Sequence, residues 1–360
     1  MRRRTLLVGF ALILATACFE GKTRTPEVAM RGDEPVAPGS PIALYRPDFV
    51  VRALVADGKT LYLSGMRMSE DEGGPSTGLI VRVPLLGLPE VIAEGPFAPM
   101  TKLELVNGVL YWHERYDSPD GPGLRSIAAD APRDSGMDEV LRLTEFVGNH
   151  WVVGPDAIYF TRPDDEIDEG GFYVLASDAD KPKLVARRRG VIRSVLANED
   201  ASELYWITRK RRDGTWGVFR WDGKRSGEEL MRSDETFASL TVDGGHFVWV
   251  TWSEDEGAPL HSLYRRPIPP ADGEGDDADI ETEVLARKRG MPGFMDVFAD
   301  EEHVYLTSVR GGPLRRLAKA HFGSEAALVT TVEGTGDRLA TDNRFNLFWL
   351  DDGQVWWRGK

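Results

Sequence analysis

Leu105–Trp112 reads LVNGVLYW: an apolar run, an Asn-Gly pair, and a second apolar run ending in two aromatics. Asn-Gly between alternating apolar runs signals a β-hairpin, because a type I′ turn needs φ > 0 at both central positions. Six further segments echo it: VADGKTLYLS (Val55–Ser64), VVGPDAIYFT (Val152–Thr161), LANEDASELYWIT (Leu196–Thr208), TVDGGHFVWVT (Thr241–Thr251), FADEEHVYLTS (Phe298–Ser308) and ATDNRFNLFWLD (Ala340–Asp351). Tyr62, Tyr111, Tyr159, Tyr205, Val248, Tyr305 and Phe348 mark equivalent points. They lie roughly 43 to 57 residues apart, the period of four-stranded propeller blades. The widest gap holds the acidic insertion Asp272–Asp279.

Each unit continues into a third strand: Gly78–Pro84, Gly123–Ala128, Gly171–Ala176, Trp216–Asp222, His261–Pro267, Pro313–Ala318 and Gln354–Gly359. Fourth strands start at Glu90, Glu139, Lys183, Glu228, Glu283 and Ala327, one fewer than the seven units require. The chain ends on a third strand, and an unassigned strand, PIALYRPDF (Pro41–Phe49), precedes the first unit. The spacing therefore predicts an all-β fold, a single seven-bladed propeller of four-stranded antiparallel blades over residues 41–360. Ile42–Arg46 is expected to pair with Gln354–Arg358 and close the ring. An open stack would leave unpaired edge groups and two apolar blade faces in water. Helical periodicity is absent beyond residue 20, which argues against α/β and all-α classes.

Met1–Ala17 reads as a targeting segment: Arg2-Arg3-Arg4, the apolar run Leu6–Leu14, then small residues Ala15-Thr16-Ala17. Cys18, the single cysteine, follows at once. The arrangement resembles the bacterial lipobox, with Ala15 where that pattern prefers Leu. The resemblance implies lipidation of Cys18, a bacterial envelope address in the inner or outer membrane, and a bilayer as partner. A plain secretory signal is the alternative. With one cysteine no internal disulfide forms, so stability must come from burial and ring closure. Residues 18–40, with Pro26, Pro35 and Pro38, read as the lipidated cysteine and a flexible tether.

In a propeller the starts of the inner strands gather at one mouth of the central channel. Here they offer Arg52, Lys102, Asn149, His150, Arg193, Asp296, Asp337 and Arg338, a mixed-charge ring suited to a small anionic or polar ligand. A channel mouth is also wet and polar without any ligand. The acidic loops SEDEGGP (Ser69–Pro75), PDDEIDEGG (Pro163–Gly171) and SEDEGAP (Ser253–Pro259) lack calcium-loop spacing and read as solvated turns. The six histidines are scattered without paired spacing, and no nucleophile, zinc or nucleotide motif is present, so neither metal, cofactor nor catalysis is expected. A formal charge of −14 opposes nucleic acid and anionic lipid surfaces as partners. The basic runs Arg187–Arg189 and Arg287–Arg289 read as a solvated rim.

Tyr111-Trp112 and Tyr205-Trp206, with Phe348-Trp349, Tyr159-Phe160 and Val248-Trp249 as variants, resemble the YWTD-type propeller repeat. The fuller unit, ending in G-x-L-x-R-V-P and a fourth strand, is similar to bacterial surface propellers, among them domain-of-unknown-function families of myxobacterial-type lipoproteins. The Thr-Asp half of YWTD is missing almost everywhere, and the unit count is seven where the receptor class has six. What the resemblance implies is binding or scaffolding; the expected partner is an envelope protein or a small polar ligand, and the chain is expected to be a monomer. The alternative is a hydrolase or lyase acting on envelope glycans or peptides at the channel mouth.

Overall fold

The computed structural model describes residues 41–359, apart from 70–75, 115–122, 133–135, 143–149, 163–170, 180, 188–190, 199–201, 211–212, 224–226, 256, 271–279, 291–292, 309–313, 323–328, 331–337 and 342–345. The expected signal, Cys18 and tether lie outside the described residues.

Seven four-stranded antiparallel sheets form the seven blades. Blade I is β2 (Val50–Asp57), β3 (Thr60–Arg67), β4 (Thr77–Pro84) and β5 (Glu90–Gly95). Blade II is β6 (Pro99–Val106), β7 (Val109–Glu114), β8 (Gly123–Ala128) and β9 (Asp138–Arg142). Blade III is β10 (Trp151–Val153), β11 (Ala157–Arg162), β12 (Gly171–Ala176) and β13 (Lys183–Arg187). Blade IV is β14 (Val191–Ala197), β15 (Leu204–Arg209), β16 (Trp216–Trp221) and β17 (Glu228–Ser233). Blade V is β18 (Thr236–Asp243), β19 (His246–Asp255), β20 (Ala258–Pro267) and β21 (Glu283–Arg289). Blade VI is β22 (Phe294–Ala299), β23 (His303–Ser308), β24 (Arg315–Ala318) and β25 (Val329–Thr330). Blade VII is β26 (Arg338–Thr341), β27 (Asn346–Asp351) and β28 (Gln354–Gly359), completed by β1 (Ile42–Tyr45). The ends thus close one sheet: Ile42 pairs with Trp357, Ala43 with Trp356 and Tyr45 with Val355. The Gln354 amide also donates to the Tyr45 carbonyl at 2.9 Å.

Local turn chemistry works as the sequence requires. Asn107 and Gly108 take φ of 50° and 75°, and Asp352 and Gly353 take 47° and 71°, the two-residue hairpins of blades II and VII. Glycine at the start of a third strand serves another purpose. A Cβ on Gly78 would sit 2.2 Å from the Phe97 carbonyl oxygen and 2.5 Å from its ring, so only hydrogen lets that ring cover the strand.

Among the described residues the core divides into seven apolar clusters, one per blade interface. Strand alternation explains how each second strand feeds two of them. Tyr62, Tyr111, Tyr159, Tyr205, Val248, Tyr305 and Phe348 face the following blade. Their next neighbours Leu63, Trp112, Phe160, Trp206, Trp249, Leu306 and Trp349 face the preceding one. The aromatic doublet is therefore the two-sided peg that holds a blade between its neighbours. Trp206 shows the packing: it stacks between Phe172 of blade III and Phe219 of its own blade, with centroids 5.3 and 5.8 Å away.

Among the polar contacts between blades, two repeat one design. Arg82 Nη1 donates to the Ala129 carbonyl of blade II at 3.0 Å while Nη2 holds Glu90 at 2.6 Å. Arg220 repeats this in blade IV, reaching the Pro269 and Pro270 carbonyls of blade V and holding Glu228 at 2.7 Å. In both blades the arginine lies opposite a second-strand tyrosine and a fourth-strand glutamate, so one repeat position has kept one job.

Candidate functional site

The inner strands β2, β6, β10, β14, β18, β22 and β26 line the channel, and their first residues meet at one mouth. The register between inner and second strand slips near that end in five blades: between Val51 and Ala53, Pro99 and Leu103, Ile192 and Ser194, Phe237 and Ser239, and Phe294 and Val297. The residues left over are Arg52, Met100–Lys102, Arg193, Ala238 and Met295–Asp296. A bulge takes its extra residue out of strict alternation and re-aims the side chain. In blade I the flanking Val51 and Ala53 stay buried against neighbouring blades, which leaves the opening for Arg52. Arg193, Ala238 and Met295 are exposed, while Arg52, Lys102 and Asp296 are half-buried. Blade III keeps its register, since the His150 carbonyl accepts the Thr161 N–H at 3.0 Å. In blade VII Arg338 pairs with Leu350.

Electrostatics brings the expected mouth residues into two groups. Burial lowers the His150 pKa to about 4, and the positive charges of Lys102 and Arg193 push in the same direction. His150 is therefore neutral at pH 7 and flanked by cations. On the far side, burial raises the Asp296 pKa while Arg338 works to lower it, so these two face one another. Lys102 is partly committed: its ammonium meets Glu104 at 2.6 Å, donates to the Trp151 carbonyl of blade III and lies 4.7 Å from the Trp151 ring centroid. Glu104 in turn accepts the Val153 N–H at 2.8 Å, which ties blade II to blade III. Arg193 lies 5.9 Å from the Trp216 ring centroid. Neither Arg52 nor Arg193 has an ion pair among the described residues.

Asn149 and Asp337 lie outside the described residues, as do most of the first two acidic loops and the Asp272–Asp279 insertion. The third acidic loop extends β19 and β20 to a tight end in which Asp255 opposes Ala258 and Gly257 takes φ of 78°. Among the described residues no group of three or more His, Cys, Asp and Glu is placed to hold a metal ion. Arg287 and Arg289 are exposed on the rim, as their sequence context suggests.

Three polar features near the mouth have no signal of their own in the sequence. His113, opposite the Met100–Lys102 bulge, is 2% exposed, and burial lowers its pKa to about 4. Beside it, the buried Glu114 carboxylate is 3.3 Å from Arg125 Nε. In blade V the Glu235 carboxylate accepts the Thr251 hydroxyl at 2.5 Å and the Tyr264 hydroxyl at 3.1 Å. The bulges themselves explain why these were not legible: nothing in the residue pattern shows where a register will slip.

No family model matches the chain, and no curated protein matches it in sequence. Solved structures do match in fold. The β-propeller domain of the trilobed protease from Pyrococcus furiosus, described as having an open velcro topology, aligns with a TM-score of 0.58 at 10% identity over 87% of this chain and 98% of that one. The Cps50 (Swd1) β-propeller domain of Myceliophthora thermophila aligns at 0.56 and 10% identity over 86% of this chain and 96% of that one. Pyrococcus horikoshii acylaminoacyl peptidase aligns at 0.55 and 10% identity over 86% of this chain but 52% of its own. At such identity the likeness is one of fold. The first and last strands of this chain pair in one sheet, so its ring is closed. What the geometry establishes is a seven-bladed all-β propeller whose architecture suits a protein- or ligand-binding scaffold.

Proposed function

We propose that this chain is an exported bacterial envelope lipoprotein, anchored through Cys18, whose propeller works as a binding module at the channel mouth. The observation that supports this best is the sign of the mouth. In a chain of formal charge −14, the described titratable residues of the mouth are Arg52, Lys102, His150, Arg193, Asp296 and Arg338, with one acid among them. Chance placement in an acidic protein favours carboxylates, so a basic opening needs a reason. The anchor half of the reading rests on the residues before Pro41, which put a cysteine directly after a basic start and an apolar run.

Two experiments test the two halves. Growth with an alkyne fatty acid should label the wild-type chain and leave Cys18→Ala unlabelled; equal labelling removes the anchor. A pull-down from detergent-solubilised envelope should retain partners or ligands that are lost with Arg52→Glu/Arg193→Glu. Retention by the double variant places binding elsewhere on the propeller.

A further inference from the structure

We propose that the channel mouth binds a small oxyanion with two or more negative charges, of the carboxylate or phosphate class, held between Arg52 and Arg193 with Lys102 and His150 as intervening donors. The inference rests on the mouth being the working face of the propeller.

Ring order supplies the geometry. Arg52, Lys102, His150 and Arg193 come from blades I to IV in succession, so they form one continuous arc. Blades I and IV stand nearly opposite one another in a seven-membered ring. An anion that reaches both guanidinium groups must carry charge at two ends. The two arginines also differ from the other charged residues of the mouth. Lys102 already meets Glu104, and Asp296 faces Arg338, whereas Arg52 and Arg193 have no carboxylate partner among the described residues. Half-burial of Arg52 without a counter-ion weakens its hydration and raises the value of an incoming oxyanion. Arg193 lies over the Trp216 ring, which restricts its fork and lowers the entropy lost when it grips two oxygens.

His150 supplies an independent sign of the same field. Lys102 and Arg193 both lower its proton affinity, and among the described residues no carboxylate acts on it in the opposite direction. A neutral imidazole in this positive region offers one N–H donor without adding charge. The Asp296–Arg338 pair bounds the arc on the side of blades VI and VII, where the two opposite charges offset one another and leave little net attraction for an anion. Ala238 and Met295 leave the remaining wall apolar.

Isothermal titration of the detergent-solubilised full chain with citrate and with pyrophosphate tests this, with glucose as the neutral control. Saturable heat is expected with at least one anion, none with glucose, and the affinity should fall as salt rises. Arg52→Gln or Arg193→Gln should weaken binding by about tenfold with the melting temperature little changed, since neither guanidinium has a carboxylate partner among the described residues. Citrate alone binding assigns the carboxylate class, and pyrophosphate alone the phosphate class. No saturable heat with either anion, or affinity unchanged in both variants, overturns the proposal. If titration fails while the envelope pull-down still loses its partner in the charge-reversed variant, the oxyanion is rejected and the mouth stands.

Discussion

Ala43 and Trp356 are directly opposite one another in the β1–β28 pair, which joins the first described strand to the last. This single antiparallel contact turns a linear row of blades into a ring. It buries Tyr45 to 2% exposure in the same cluster as Val51, Leu61, Phe348 and Val355.

Directly opposed residues in an antiparallel pair have Cβ atoms within about 5.5 Å, close enough to bridge after small backbone adjustment. In a Cys18→Ala background, Ala43→Cys/Trp356→Cys should therefore cross-link under mild oxidation and migrate faster on a non-reducing gel. Two freely alkylated thiols under the same conditions would mean that the seam is paired differently.

The Arg220 clip should matter more than the Arg82 clip. The Arg220 side chain is 3% exposed and serves two carbonyls of the next blade and Glu228; the Arg82 side chain is 20% exposed and serves one carbonyl and Glu90. Arg220→Ala leaves buried acceptors unpaired and should cost about 3 kcal/mol, against about 1 kcal/mol for Arg82→Ala. Urea midpoints at constant m-value provide the comparison, and equal losses would contradict the ranking.

Trp206 is the clearest peg between blades. Its replacement by Ala removes a fully buried indole stacked on Phe172 and Phe219, which should cost about 3–5 kcal/mol. Chemical denaturation reads this directly; a loss near that of an exposed substitution would show that the III–IV interface is not packed as described.

Acid should destabilise the propeller below neutrality. The buried imidazoles of His113 and His150 have folded pKa values of about 4, below the ordinary 6.5. From pH 6.5 down to about 4 the unfolded chain holds protons that the folded chain refuses, so stability falls as pH falls. His113 alone accounts for at most about 3 kcal/mol of this. Asp296, with its raised pKa, acts in the opposite sense and offsets part of the loss. Melting temperature against pH should show a shallower acid slope for His113→Leu than for wild type, and an unchanged slope would remove His113 from the account.

The repeat was legible because its chemistry is local. Asn107-Gly108 and Asp352-Gly353 announce hairpins through the backbone they alone tolerate, and the aromatic doublets announce strands buried on both faces. Third strands begin where the residue pattern places them at Gly123, Gly171 and Gln354, whereas β20 starts earlier, at Ala258. The mouth residues were legible as positions, because strand starts converge by symmetry. Their grouping was not: which cation is spent on Glu104 and which is unspent depends on bulges and on side chains from separate blades. The Arg82 and Arg220 clips had a trace in the recurring arginine of the third strand and the glutamate that opens the fourth. Their carbonyl partners in the next blade had none.

The most direct test of a positively charged working mouth is anomalous diffraction from crystals of the protein soaked briefly in bromide. Bromide reports unneutralised positive field without assuming a ligand. A bromide peak is expected inside the channel opening, in contact with Arg52 or Arg193. Bromide confined to the outer rim, with none in the opening, would contradict it.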